Sequence, residues 1–368
     1  MNFDLTEDQA MLKALAERFV DDRYDLERRR AYRSEAPGFS ARNWELLGEL
    51  GLIAAPLAEA DGGMGLDATA VATVFEAFGR GLVVEPLIEN VLVAARLFAA
   101  TAPEPLRSEW LPELVSGRRR IALAHVEPGS RGGYLACETR AEATATGIRL
   151  TGRKSCVPAG VGADGFIVSA RMQEAGAIGL FFLPAAAHGL AFTPWRMVDG
   201  AAALAIELRE ASGAIALNGG AEQIAANEEL ASVARSAEAL GLMERMFAET
   251  LDYLRTREQF GTKLGSFQAI QHRMVAQYAA IEQSRSLLNL ALVSEGTPNF
   301  ARSADGARSF ISTASITLAH EMVQFHGGMG VTDEIAISHA HKRLFVLSRW
   351  PDNAEAALDR FAEVAAAA

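Results

Sequence analysis

Cysteine is scarce in this sequence. Cys137 and Cys156 are the two among 368 residues, and they show no CxxC spacing. Neither a disulfide framework nor a cysteine zinc site is expected, and a reducing cytosol is the expected compartment. A basic excess is also missing: 35 basic side chains against 46 acidic ones leave a net charge of -11. That balance excludes non-specific nucleic-acid binding, and a polyanionic ligand would need local Arg or Lys. There is no long apolar run. The most apolar stretch, 82–100, is broken by Glu85, Pro86, Glu89, Asn90 and Arg96, so no membrane span is expected. The opening Met1-Asn2-Phe3-Asp4 lacks the basic start and apolar core of a signal peptide. No internal repeat and no H-E-x-x-H is present, and the four histidines His320, His326, His339 and His341 do not form a metal pattern. What is present is a globular composition. Half of the residues are hydrophobic (50%) and 22% are charged, which excludes a disordered chain. A chain of this length exceeds one small core, so two or three domains are expected.

The first third has helical periodicity. Thr6-Glu7-Asp8-Gln9 is a capping box, followed by Leu12, Leu15, Ala16, Phe19 and Val20 on one face. Ser40 and Asp67 are further N-cap candidates, and Leu87 to Ala100 is another helical run. The pattern changes near Ser116-Gly117. Short apolar or alternating runs follow, including Ile121 to Val126, Thr139 to Leu150 with a Thr146-Gly147 turn, and Leu204 to Leu208. Their spacing predicts a small β-barrel or sandwich. From about Glu222 long helical stripes return, with helices expected near 267–293 and 305–325. The expected fold is therefore α+β, mostly α, in three parts: an N-terminal helical domain over 1–117, a middle β-domain over 118–221, and a C-terminal four-helix bundle over 222–368.

Arg257-Glu258-Gln259-Phe260-Gly261 is the most pointed local sequence, read as a helix end with Gly261 as its C-cap. Arg257 suits a helix C-terminus in any case, but an Arg beside an aromatic also clamps pyrophosphate and packs on ring systems. Gln268, opening the next helix, is in reach of the same ligand. Gln324-Phe325-His326-Gly327-Gly328-Met329-Gly330 is either a glycine helix stop or a place where a ligand approaches the backbone. It does not fit G-x-G-x-x-G, so a Rossmann site is rejected. Glu228-Glu229 reads as an acidic pair opening a helix, with Glu229 as the candidate catalytic base. The runs Arg28-Arg29-Arg30 and Arg118-Arg119-Arg120 are expected on solvated or interface faces.

Together these signals resemble the acyl-CoA dehydrogenase family over nearly the whole chain. The carrying residues are Glu127-Pro128-Gly129-Ser130, Gly152-Arg153-Lys154, the segment Tyr253 to Gly261, Phe267-Gln268, and Gln324 to Gly330. The opening Met1 to Arg30 looks most like the small subunit of pimeloyl-CoA dehydrogenase. The resemblance implies FAD, an acyl-CoA substrate, α,β-desaturation, and an electron-transfer flavoprotein as acceptor. It also implies that Arg257, Phe260, Gln268, Gln324, Gly327 and Gly328 contact the FAD of a neighbouring subunit. The departures are as informative. Val126-Glu127-Pro128 stands where the family has Thr-Glu-Pro, and Cys156-Val157-Pro158 where it has Trp-Ile-Thr or Trp-Ile-Ser. Leu344 to Trp350 holds no carboxylate where a Glu is usual, and the alternative Glu position falls at Ala231. The expectation is one half of a heteromer whose homologous partner supplies the base. A self-sufficient homo-oligomer or oxidase relative using Glu229, and a scaffold without flavin, are the alternatives.

Overall fold

The computed structural model describes residues 5–130, 137–145, 147–172 and 177–367. Met1 to Asp4 and the expected turn residue Thr146 lie outside the described residues. The chain forms two compact units. One, here the helical unit, takes Met1–Arg29, Asp67–Val83 and Ser232–Ala368. The other, the mixed unit, takes Arg30–Leu66 and Val84–Ala231. Among the described residues no helix is long and apolar enough to cross a membrane.

The N-terminal helices are α1 (Glu7–Arg23), α2 (Leu26–Ser34), α3 (Ala41–Glu49) and α4 (Ala68–Gly81), followed by a π-helix over Ile88–Ala95, α5 (Arg96–Thr101) and α6 (Glu104–Val115). Their starts follow local chemistry. The capping box forms at Thr6, whose hydroxyl accepts from Gln9 N while the Gln9 side chain accepts from Thr6 N. Ser40 caps α3 and Asp67 caps α4. In α6, Pro105 sits in the first turn, where a missing N–H costs nothing.

The strands are β1 (Ile121–Ala124), β2 (Arg140–Thr144), β3 (Gly147–Pro158), β4 (Gly165–Met172), β5 (Ile178–Pro184), β6 (Leu190–Arg196) and β7 (Ala202–Gly220). Among the described residues they make one seven-stranded sheet in the mixed unit. β4 pairs β2, β2 pairs β3, β3 pairs β7, β7 pairs β5, and β5 returns to β4. That circuit closes the sheet on itself as a barrel, which removes most free edges. Its interior is apolar, with Leu150, Val157, Phe166, Val168, Phe181 and Ile206 at its centre.

Helix α7 (Ala221–Thr256) leads into a short hairpin, β8 (Glu258–Gln259) with β9 (Thr262–Lys263), then α8 (Gln268–Val293), α9 (Phe300–His326), α10 (Ala336–Leu347) and α11 (Ala354–Ala367). Within the helical unit α9 is central and packs on α8, α10 and α11. One stripe of α8, from Met274 through Ile281 and Leu288 to Ala291, is buried, as its period of three to four requires. Where α4 crosses α7, Gly79 lies against the Glu238 carbonyl and Gly241 against the Glu76 carbonyl. A Cβ at either position would collide with backbone, so the two helices need glycine there.

Three local readings are corrected. Glu228 and Glu229 do not open a helix: α7 begins at Ala221, with Glu222 in its first turn, and they lie in its third. Gly261 is not a helix C-cap, because α7 ends at Thr256 and Gly261 turns the β8–β9 hairpin. The arginine runs are not wholly solvated. Arg29 is buried, donating to the Leu82 carbonyl at 3.0 Å and lying 2.9 Å from His339 Nδ1. Arg120 reaches inward to the carbonyls of Ala159, Val161 and Gly162, and burial lowers it to about 10 despite the opposing charge of Asp164.

Candidate functional site

The candidate cofactor contacts gather at one end of the helical unit. Helix α7 ends because Thr256 turns its hydroxyl back to the carbonyls of Asp252 and Tyr253, at 3.0 and 3.1 Å. The chain then reverses in a two-residue turn, with Phe260 at φ 57° and Gly261 at φ 78°. Both residues are left-handed, as this hairpin class requires. Glycine tolerates that backbone; phenylalanine does not do so readily. Phe260 is nevertheless 90% exposed, with an edge-on contact to Phe267 at 6.3 Å. A strained, solvent-exposed aromatic is costly for the isolated chain and marks a surface that is completed by something else.

Two contacts below this surface bring its parts together. The Tyr253 ring stacks on the His326 ring, with centroids 4.4 Å apart at 23°, so the end of α7 meets the end of α9. Arg273, one turn into α8, bonds Glu321 at 2.6 Å and lies over the Phe325 ring at 4.7 Å. These contacts place Arg257, Phe260, Gln268, Gln324, Gly327 and Gly328 at the same end of the unit. All six are exposed. Among the described residues the side chains of Arg257, Gln268 and Gln324 make no hydrogen bond or ion pair. Gly261, Gly327 and Gly328 face open space, with no atom within 4 Å of a would-be Cβ. A free guanidinium, two free carboxamides, an exposed ring and open glycine backbone form a donor set suited to a ligand with phosphates and flat rings. Sequence reasoning found these six. It treated His326 as a metal question and overlooked its stack with Tyr253, since a ring stack between residues this far apart in the chain leaves no periodic signal.

A second polar constellation lies inside the mixed unit, and it explains the Glu127 and Lys154 motifs. Lys154 is 0% exposed and its Nζ lies 2.6 Å from Glu127 Oε1 and 3.0 Å from Ser169 Oγ. Glu127 Oε1 also accepts from the Thr139 hydroxyl at 2.6 Å, and its Oε2 from Glu138 N at 2.5 Å. Burial alone would raise the Glu127 carboxyl; the Lys154 ammonium, the Thr139 hydroxyl and the Glu138 N–H outweigh it and hold it at about 2. Cys137 sits against the same carboxylate at 3.4 Å, and burial raises its thiol. The network is closed on itself and offers nothing to a ligand.

Beside it, Val126 bridges Cys156 across two strands, and the Val126 carbonyl accepts from Ser155 N at 2.8 Å. Val126 has no hydroxyl, Pro158 has no N–H, and Ala159 follows in a left-handed conformation, φ 55°. Burial and then the Glu89 charge push Cys156 up to about 12, so its thiol stays protonated at neutral pH and is no base. Glu229 is half-buried in the mixed unit and is not among the residues brought together around Arg257. At the two positions where a carboxylate was sought, Ala231 is fully buried and Leu344 to Trp350 closes α10 with no acid. Among the described residues no group of three His, Cys, Asp or Glu side chains is placed to hold a metal ion.

A cleft of about 400 Å³ lies elsewhere in the helical unit, between α1, α4 and α8. Arg80 and Arg285 in its floor are paired with Glu76 and Glu244, so its cations are already neutralised.

Two family models match the chain: acyl-CoA dehydrogenase, N-terminal domain, over residues 6–118, and acyl-CoA dehydrogenase, C-terminal domain, over 218–364. The acyl-CoA dehydrogenase FadE27 of Mycobacterium tuberculosis is 29% identical over 359 residues, covering 95% of this chain and 93% of that protein. Among solved structures, the ChsE4–ChsE5 complex from Mycobacterium tuberculosis aligns with a TM-score of 0.89 at 27% identity, over 100% of this chain and 99% of that one. A Tcur3481–Tcur3483 steroid ACAD variant aligns at 0.87 and 29% identity, over 98% of each chain.

Proposed function

We propose that this chain, which belongs to the acyl-CoA dehydrogenase family and is an FAD-dependent oxidoreductase acting on acyl-CoA, supplies the clamp half of a flavin site completed by a homologous subunit. The observation that carries this reading is the contrast between its two candidate flavin surfaces. The end of the helical unit holds unpaired donors and an exposed ring. The Val126–Pro158 segment lacks the hydroxyl and N–H donors that would hold a flavin of its own.

When bound, FAD supplies the redox chemistry of α,β-desaturation. On this chain, Arg257 would hold the pyrophosphate, a charge-assisted contact that an acidic protein has to provide locally. Phe260 would pack on the cofactor, Gln268 and Gln324 would donate or accept through their amides, and Gly327 and Gly328 would let it approach the backbone. Removal of the α proton needs a carboxylate, and the two positions where the family places one hold Ala231 and an acid-free Leu344 to Trp350. The partner subunit would supply it. Two solved relatives named as two-component assemblies, ChsE4–ChsE5 and Tcur3481–Tcur3483, support a heteromer. An α2β2 tetramer with fewer flavins than chains follows, with the cytoplasm as its place and an electron-transfer flavoprotein as its acceptor. The domain limits belong to the same reading: α6 ends at Val115 just before 117/118, and β7 passes to α7 at Gly220 and Ala221, beside 221/222.

The test is flavin content and desaturase turnover of the chain expressed alone and with a neighbouring homologue. Steroid-type, dicarboxylyl and straight-chain acyl-CoA thioesters are assayed side by side, the first because of the steroid relative. Sub-stoichiometric flavin and little turnover alone, both restored on co-expression, are expected. A missing base costs roughly 10²–10⁴ in rate. One FAD per chain with full turnover alone, abolished by Glu229→Gln, would instead establish the homo-oligomer.

A further inference from the structure

We infer that Tyr253 and His326 form a positioning brace that sets the glycine loop against Arg257, so that FAD affinity depends on two stacked rings beneath the clamp, one half-buried and one buried. The inference rests on the reading that this clamp holds flavin. The clamp side chains come from the ends of three helices, and among the described residues they share no hydrogen bond with one another. Their alignment has to come from beneath. Tyr253 stands one helical turn before Arg257, whose N–H donates to the Tyr253 carbonyl at 2.8 Å. His326 immediately precedes Gly327, where the backbone leaves α9 at φ 60° and ψ -138°. The ring stack therefore joins a residue one turn before Arg257 to the residue just before Gly327.

The histidine has a property that a plain apolar contact lacks. His326 Nδ1 lies 2.8 Å from the Met322 carbonyl. A carbonyl only accepts, so Nδ1 carries the proton and the ring is tethered in one rotation. His326 is 8% exposed, whereas Gly327 and Gly328 beside it are open. Arg273, through Glu321 and Phe325, fixes α8 to α9 separately, and the Tyr253–His326 stack ties α7 to α9 beneath the clamp. A binding surface aligned before the ligand arrives binds it more tightly, because less ordering remains to be done.

The experiment uses the flavin-binding oligomer stripped of FAD and titrated with FAD, following the flavin optically, alongside thermal unfolding of the stripped protein. Tyr253→Leu and His326→Leu are expected to raise the Kd for FAD at least about five-fold, the scale of one lost hydrogen bond or contact, with melting of the stripped protein little changed. Tyr253→Phe, which keeps the ring, is expected to match the parent. His326→Phe, which keeps the stack and loses the tether, should fall between and serves if a leucine variant does not fold. Combining Arg257→Ala with His326→Leu should cost less than the product of the separate losses, since a misaligned Arg257 has already lost its contact. Unchanged Kd in the ring variants, or losses that multiply, would remove the brace while Arg257→Ala still weakens FAD. If Arg257→Ala also leaves the Kd unchanged, the clamp reading itself fails and the brace with it.

Discussion

The buried Lys154 network of the mixed unit and the open end of the helical unit both concentrate polar side chains, and they treat them in opposite ways. In the mixed unit, the Lys154 ammonium, the Glu127 carboxylate, and the Thr139 and Ser169 hydroxyls bond one another out of contact with water. At the helical end, Arg257, Gln268 and Gln324 face solvent, and Phe260 holds a strained turn in the open. A buried charge persists only when its neighbours satisfy it, so the first region is complete as a fold. An exposed and strained arrangement gains nothing for the isolated chain, which on the proposed reading is why the second is completed by a ligand. On the proposed reading, the comparison separates polar residues kept for stability from those kept for binding.

The largest effect should come from breaking the Lys154–Glu127 pair. Lys154→Met leaves the Glu127 carboxylate buried without its cation and is expected to cost about 3–5 kcal/mol of stability by denaturant unfolding. Adding Glu127→Gln should recover much of that loss. A double variant as unstable as Lys154→Met would show that the lysine contributes through packing alone. Acid should act on the same pair. Glu127 is held at about 2 against an ordinary 4.5, so the unfolded chain takes up the proton first as pH falls. Its stabilisation is full above pH 4.5 and is lost progressively towards pH 2, to a ceiling of about 3 kcal/mol. Unfolding midpoints measured across that window should fall in the parent and flatten in Glu127→Gln.

On the other side of the comparison, Arg257→Ala should leave the melting of flavin-free protein unchanged and weaken FAD by about 1.5–3 kcal/mol, roughly ten-fold or more. Equilibrium dialysis or flavin quenching reads it directly, and an unaltered affinity would place Arg257 outside the site. The smallest effect belongs to Gln324→Ala, a neutral amide worth about 1 kcal/mol, or roughly five-fold in FAD affinity, again without change in the flavin-free melting point. A loss of stability there would move Gln324 to the structural side.

Much of the fold was legible because it is encoded locally. The caps at Thr6, Ser40 and Asp67 lie within three residues of the groups they satisfy, and the apolar runs of β4 and β5 are continuous. What escaped was set by distant partners or unusual punctuation. The helical run from Leu87 was expected to end by Ala100, yet α6 follows it and carries Pro105 and Pro112. Pro194 hid β6, which among the described residues pairs only with β7, so that its free edge tolerates a missing N–H. Arg29 and Arg120 looked like members of solvated runs until Leu82 and His339, or Ala159 and Gly162, were seen to receive them. The hairpin at Phe260-Gly261 was hidden because its first turn residue is not the asparagine or glycine that signals such a turn.

By itself the sequence determined the order of helices, barrel and helices, the motifs around Arg257 and Gln324, and the absence of an acid from Leu344 to Trp350. These are properties of spacing and composition. Only the tertiary structure decided that Lys154 and Arg257, both cations in glycine-containing motifs, have opposite fates. One meets a carboxylate 27 residues away in the chain in the buried part of the mixed unit; the other meets solvent beside two stacked rings. Desolvation and pairing depend on which atoms end up within a few ångströms, and that is fixed by packing rather than by neighbours in the chain.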